Sequence, residues 1–219
     1  MKLLLLPLLL LPPAYSADDR GQHVLYLKGH PDAKLRIDLE EGQKDPELRR
    51  RLHNGEKRVQ LLVHTKPRMT HAVREELLDP SVNSYYIPDD GFGLCADKED
   101  VDRIGSHEHV LWMGHMRPEW KHHPKLWSHP YIINKPDQKR SPFDFVSVDV
   151  LLMCPAEDSL LRQWRRRFDV VSIKEWSATH LLFTVQRSNF HALVMGLREA
   201  EEVHWIHLNV PKKTHNFLA

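Results

Sequence analysis

Histidine is the residue type that most invites chemistry in this chain, with sixteen among 219 residues. Neutral imidazole ligates zinc, but a zinc site needs ligands that converge on one point, as in H-E-x-x-H on a helical face. Here His107-Glu108-His109 precedes a strand-like stretch, and His115, His122, His123 and His129 are strung through a linker without helical period. The spacing therefore favours solvated loop histidines, and no metal or other cofactor is implied. A third reading is a pH switch, since imidazoles change charge near pH 6.5 and acidification would loosen a surface they line. Two cysteines, Cys95 and Cys154, suffice for one disulfide but not for a disulfide scaffold. Arg162 and Arg165-Arg166-Arg167 read as the solvated face of a helix. The alternative, a basic processing site, is opposed by the apolar Phe168 that follows. Asp89-Asp90-Gly91 resembles a catalytic aspartate motif on paper but sits where a hairpin turn is needed.

The elements that would position these residues follow from hydrophobic period. Val59 to Val63 reads as a strand, Met69, Val73 and Leu77 recur on one helical face, and Tyr85-Tyr86-Ile87 is a second strand. After the Asp-Gly turn come a third strand around Phe92 to Ala96, a helix capped by Asp97 and carrying Val101 and Ile104, and a fourth strand, Val110 to Met113. The order β-α-β-β-α-β then repeats. Val146, Val148, Val150 and Leu152 alternate as a strand, Leu160, Trp164 and Phe168 mark a helix, and Val170 to Trp176 and Leu181 to Val185 form a hairpin. Phe190, Leu193, Val194 and Leu197 mark the second helix, and Val203 to Ile206 closes the unit. Both final strands read Val-x-Trp-apolar, so Trp112 and Trp205 are expected in matching core positions. Trp120 and Trp127 lie in the linker, free to anchor the units to each other or to a partner.

The expected class is α+β, with two tandem ferredoxin-like subdomains whose helices cover one sheet face and leave the other open. The expected boundaries are a signal peptide at 1–17, a polar, loosely packed lead-in at 18–57 with strand-like stretches at Val24 to Leu27 and Leu35 to Leu39, a first subdomain at 58–117, a linker at 118–142, a second subdomain at 143–210 and a tail at 211–219. Placing Cys95 and Cys154 in different subdomains argues against a bridge and leaves their redox state open.

Met1-Lys2, the leucine run from Leu3 to Leu11 and the small residues of Ala14-Tyr15-Ser16 have the form of a cleavable secretory leader, so the expected location is the secretory pathway or outside the cell. No later run approaches the roughly 20 apolar residues of a membrane helix. A net charge of +1 leaves no global field to recruit nucleic acid or an anionic membrane. The central strands also lack the glycine- and phenylalanine-rich signature of RNA-recognition modules, so neither nucleic acid nor membrane is an expected partner.

The run Tyr86-Ile87-Pro88, then Gly93-Leu94, then His109-Val110-Leu111-Trp112-Met113-Gly114 and Arg117-Pro118-Glu119-Trp120-Lys121 resembles the pro-region of secreted subtilisin-like serine proteases. The resemblance covers about Val59 to Leu126, and the second unit only by pattern. It implies an intramolecular chaperone and temporary inhibitor that packs its sheet on the protease. The segment leaving its last strand would lie in the substrate cleft by strand addition. On this chain that segment is His207, Leu208, Asn209, Val210, Pro211, Lys212 and Lys213, continuing to Ala219. The H-G-x-H and G-T-S contexts of a subtilisin triad are missing, so the chain itself is expected to be non-catalytic. It would act on a protease in cis, as the front of a truncated gene product, or in trans. The competing expectation is a secreted binding module with an unrelated partner.

Overall fold

The computed structural model describes residues 24–27, 34–37, 43–67, 70–78, 84–88, 90–129, 132 and 144–210. The leader, Met69, Asp89, most of the linker beyond 129 and the tail residues Pro211, Lys212 and Lys213 lie outside the described residues. The described residues form a mixed α+β structure with two four-stranded antiparallel sheets, a two-stranded hairpin and five α-helices. None of these helices is long and apolar enough to cross a membrane.

The lead-in contributes β1 (Val24–Tyr26), β2 (Lys34–Arg36) and α1 (Pro46–His53). The first repeat consists of β3 (Val59–Thr65), α2 (His71–Leu77), β4 (Ser84–Ile87), β5 (Gly91–Ala96), α3 (Lys98–Gly105) and β6 (Val110–His115). The second consists of β7 (Phe145–Leu152), α4 (Asp158–Arg167), β8 (Val170–Ser177), β9 (His180–Gln186), α5 (Phe190–Arg198) and β10 (Val203–Asn209). The sheet orders are β4-β5-β3-β6 and β10-β7-β9-β8, so in both repeats the first strand lies between the third and the fourth.

Sequence chemistry sets the helix starts. Asp97 Oδ1 accepts from Asp100 N at 2.9 Å, and Thr70 Oγ1 accepts from Val73 N. Asp45 caps α1 through Leu48 N at 2.7 Å, with Pro46 at the first helical position, while its other oxygen accepts from His115 N at 2.8 Å. One carboxylate thus ties α1 to β6.

Three hydrophobic clusters hold the fold. Val59, Leu61 and Val63 of β3 pack with Leu48, Leu77, Val101 and Ile104 of the helices. Val146, Val148 and Val150 of β7 pack with Trp164, Phe168, Leu193 and Leu197. The third cluster lies on the other face of the first sheet, where Leu25, Leu27 and Ile37 of the lead-in cover Leu62, Ile87, Trp112 and Met116. This corrects two expectations. The lead-in is not loosely packed, since Leu25 is fully buried. Nor is the first sheet open on one side: all seven residues of β3 are buried, with Leu62 beneath the lead-in hairpin and Gln60 bonded to the carbonyls of Glu201 and Val203 in the second repeat.

The Val-x-Trp-apolar pattern also has a different meaning from the expected one. Register shifts occur at Val110 to Trp112 against Thr65 and His64, and at Val203 to Trp205 against Leu152 and Leu151. Each inserts one extra residue and breaks the alternation. Val110 and Met113, like Val203 and Ile206, therefore face the helices. Trp112 is buried in the cluster beneath the hairpin, and Trp205 is half-buried against the first repeat. Both tryptophans follow a bulge at matching positions, but only Trp112 is a core residue as expected, while Trp205 is half-buried.

Candidate protein-docking face

Two polar clusters stand out, one between the repeats and one on the non-helical face of the second sheet. The first joins the repeats around Glu201, which follows α5. Its carboxylate accepts from Arg51 Nη1 at 2.8 Å and Gln60 N at 3.0 Å, and both oxygens lie 3.0 Å from His115 Nε2. Gln60 Nε2 donates to the carbonyls of Glu201 and Val203. Burial alone would raise the Glu201 carboxyl. The His115 bond and charge, Lys121 and the Gln60 N–H outweigh it and hold the group below the usual carboxylate range. Lys121 is fully buried with Nζ donating to Ala200 O at 2.7 Å, and loss of hydration pulls its ammonium down to about 8 even though Glu201 opposes the shift.

The Cys95–Cys154 disulfide reinforces this junction, with Cα atoms 5.9 Å apart. That corrects the expectation that cysteines in separate repeats would stay apart. Cys95 pairs with Gln60 on the non-helical face of the first sheet, which is where the second repeat docks. Tyr85 packs over Gly93 so closely that a Cβ there would strike its ring, and its other side meets the His204 ring at 4.0 Å between centroids. The two linker tryptophans pack on different clusters. Trp120 packs on the hairpin cluster, while Trp127 packs on the second core and donates Nε1 to His122 Nε2 at 3.1 Å.

The second cluster sits on the helix-free face of the second sheet, whose β10 edge meets the first repeat at Trp205. Strand alternation puts Ser147, Asp149 and Leu151 of β7 opposite the helices, beside Thr184, Leu182 and His180 of β9 and Asn209, His207 and Trp205 of β10. Asp149 is 6% exposed there. Its oxygens lie 2.9 Å from His180 Nε2 and 3.4 Å from His207 Nε2, and accept from Asn209 Nδ2 at 2.6 Å. Trp176 on the edge strand β8 is 56% exposed and stacks on His180, with Lys174 Nζ 4.2 Å from its ring centroid. Phe145 is exposed at the far end of the same face.

The histidines therefore depart from the solvated-loop reading. His64, His115 and His122 are buried, and His180 and His207 sit on strands around one carboxylate. Among the described residues no three His, Cys, Asp or Glu side chains group as a metal site. Asp90, at the β4–β5 turn, has a positive φ of 61°, the left-handed geometry a tight hairpin requires.

The expected cleft-binding segment is divided by the structure. His207, Leu208 and Asn209 belong to β10, paired with Asp149, Val148 and Ser147, so they are sheet residues and not a free peptide. Val210 is 41% exposed where the chain leaves the sheet, and the remaining tail residues lie outside the described set. The sequence reading missed Asp149, His180 and Trp176. Its available signal was a lone aspartate inside a valine-rich strand, a residue tolerated there only with partners. No family model, curated protein or solved structure matches this chain.

Proposed function

We propose that the chain is a propeptide-like module made of two ferredoxin-like units, which folds on and blocks a subtilisin-like serine protease in the secretory pathway. The observation that carries the reading is the helix-free face of the second sheet, with Trp176, Lys174, His180 and the Asp149 cluster displayed on it and β10 leading out at Val210. A sheet of this kind offers a broad contact surface, and an exposed segment leaving its edge strand can add to a groove through backbone hydrogen bonds. The module would act by occupancy, with no chemical step of its own, and its burial against the protease would stabilise both partners. The disulfide fits an oxidising compartment.

The test is inhibition of a panel of purified subtilisin-like proteases, followed by progress curves. Removing residues 210–219 leaves every pair of β10 intact, so circular dichroism should be unchanged while inhibition is lost. Trp176→Ala should weaken inhibition by about tenfold or more, the range of an interface anchor. Inhibition that survives both changes, or none against any protease of the panel, defeats the proposal.

A further inference from the structure

We propose that the outward face of α4 is a docking site for a sulfated polysaccharide of the glycosaminoglycan type. Trp164 and the following Phe168 are buried in the second core, Leu161 packs against it, and this fixes the rotation of the helix. Arg162, Arg165 and Arg166 are left exposed at positions i, i+3 and i+4, where side chains are neighbours about 5–6 Å apart at Cβ. Arg167 is also exposed, with its guanidinium carbon 5.3 Å from the Phe168 ring centre. Like charges at this spacing repel, and the helix C-terminus needs only one or two cations to balance its dipole. Asp158 lies four residues before Arg162 and Asp169 three after Arg166, both at pairing distance in sequence. Neither forms an ion pair with the trio, and none of the three arginines has an ion pair among the described residues. In a chain of net charge +1, this is a local concentration of cation without an internal counter-charge.

The chemistry of the face selects among polyanions. Guanidinium forks bind tetrahedral oxyanions in bidentate fashion, which suits sulfate groups repeated along a chain. An anionic membrane would require apolar side chains beside the cations, and the apolar side of α4 is spent on the core. The Cys95–Cys154 bridge and the leader-like start point to an oxidising compartment, where sulfated polysaccharides occur and nucleic acids do not. Because α4 covers the side of the second sheet opposite Asp149 and Trp176, the site is independent of the docking face and both can be occupied together.

Binding of the full chain to a fluorescein-labelled heparin oligosaccharide, read by anisotropy, tests the proposal with no protease present. Three contacts at about 0.7 released counterions each predict a log–log salt slope of about −2, a loss of roughly 20-fold between about 50 and 200 mM salt. The R162E/R165E/R166E variant, checked for folding by circular dichroism, should lose at least about tenfold in affinity. The R162K/R165K/R166K variant keeps the charge without the fork and should fall between the two. The proposal is overturned if the labelled oligosaccharide does not bind, if a desulfated one binds equally, or if the glutamate variant binds like the parent. Tighter binding to phosphatidylserine vesicles or to RNA of equal charge would overturn it as well.

Discussion

Removal of the inter-repeat bridge has the most calculable consequence of any change to this molecule. Cys95 and Cys154 are separated by 59 residues, a loop that contains α3, β6, the linker and β7. Closing a loop of that length in the unfolded chain lowers its entropy by an amount worth about 4 kcal/mol at room temperature in the chain-entropy model. This is a large share of the 5–15 kcal/mol that domains of ordinary size possess. The double variant Cys95→Ser with Cys154→Ala should therefore unfold at a urea midpoint lower by about 2 M, for a slope of about 2 kcal/mol per M. Trp164 in the second core and Trp112 under the hairpin allow fluorescence to follow both repeats, and far-UV circular dichroism follows the helices. Reduction of the parent chain should reproduce the shift. A change below about 1 kcal/mol by both routes would refute the reasoning. It would mean the repeats unfold independently, so that tethering one to the other restricts neither.

Three further outcomes follow from buried groups. Lys121 has a folded value near 8 against an ordinary 10.5, so the unfolded chain binds more protons between those values and stability rises with pH across that window by about 3 kcal/mol. Lys121→Met should flatten the rise in pH-dependent chemical denaturation, and a rise that persists would assign it elsewhere. Glu201 is held below the ordinary carboxylate value, so its stabilisation is full above the unfolded value and is lost as pH falls through the folded one. Glu201→Gln leaves Arg51 and His115 without their shared anion, with an expected loss of about 3 kcal/mol at neutral pH that shrinks on acidification. Leu25→Ala empties a fully buried position of the hairpin itself and should cost about 2–5 kcal/mol in thermal or urea unfolding; a neutral result would mean that the hairpin contributes no core.

Most of the repeat was legible because alternation in β7 and the three- and four-residue spacing of apolar side chains in α3, α4 and α5 come directly from which face is buried. Three features were not. Helix α1 has an Asp45-Pro46 start but only Leu48 and Leu52 as apolar contacts in eight residues, so its charges masked its period. The bulges before Trp112 and Trp205 add one residue to each strand, which a two-residue period does not encode, so their shared pattern did not reveal that Trp112 is buried under the hairpin while Trp205 is only half-buried. The disulfide and the Glu201 junction join residues from different repeats. Nothing local in either stretch encodes that proximity, although Gln60 and Cys95 on one face of adjacent strands were both consistent with it.

The unequal fate of the two non-helical faces has a compositional cause. On the first sheet that face carries Leu62, Ile87 and Trp112, which water would penalise, and the chain supplies its own hairpin to cover them. On the second it carries Ser147, Asp149, Thr184, Lys174 and His180, whose polar groups are bonded to one another or hydrated, so no cover is required for folding. Its apolar side chains are Leu151, Leu182 and Trp205, each half-buried within the face, and Trp176 and Phe145, exposed toward its ends. Under the proposed function, a protease settling on this face would meet a carboxylate already bonded to His180 and Asn209, and would gain apolar area from the exposed Trp176 and Phe145. Under that function, only a surface that leaves those internal bonds intact or replaces them could dock without stranding the buried carboxylate, so the central cluster would limit which surfaces fit.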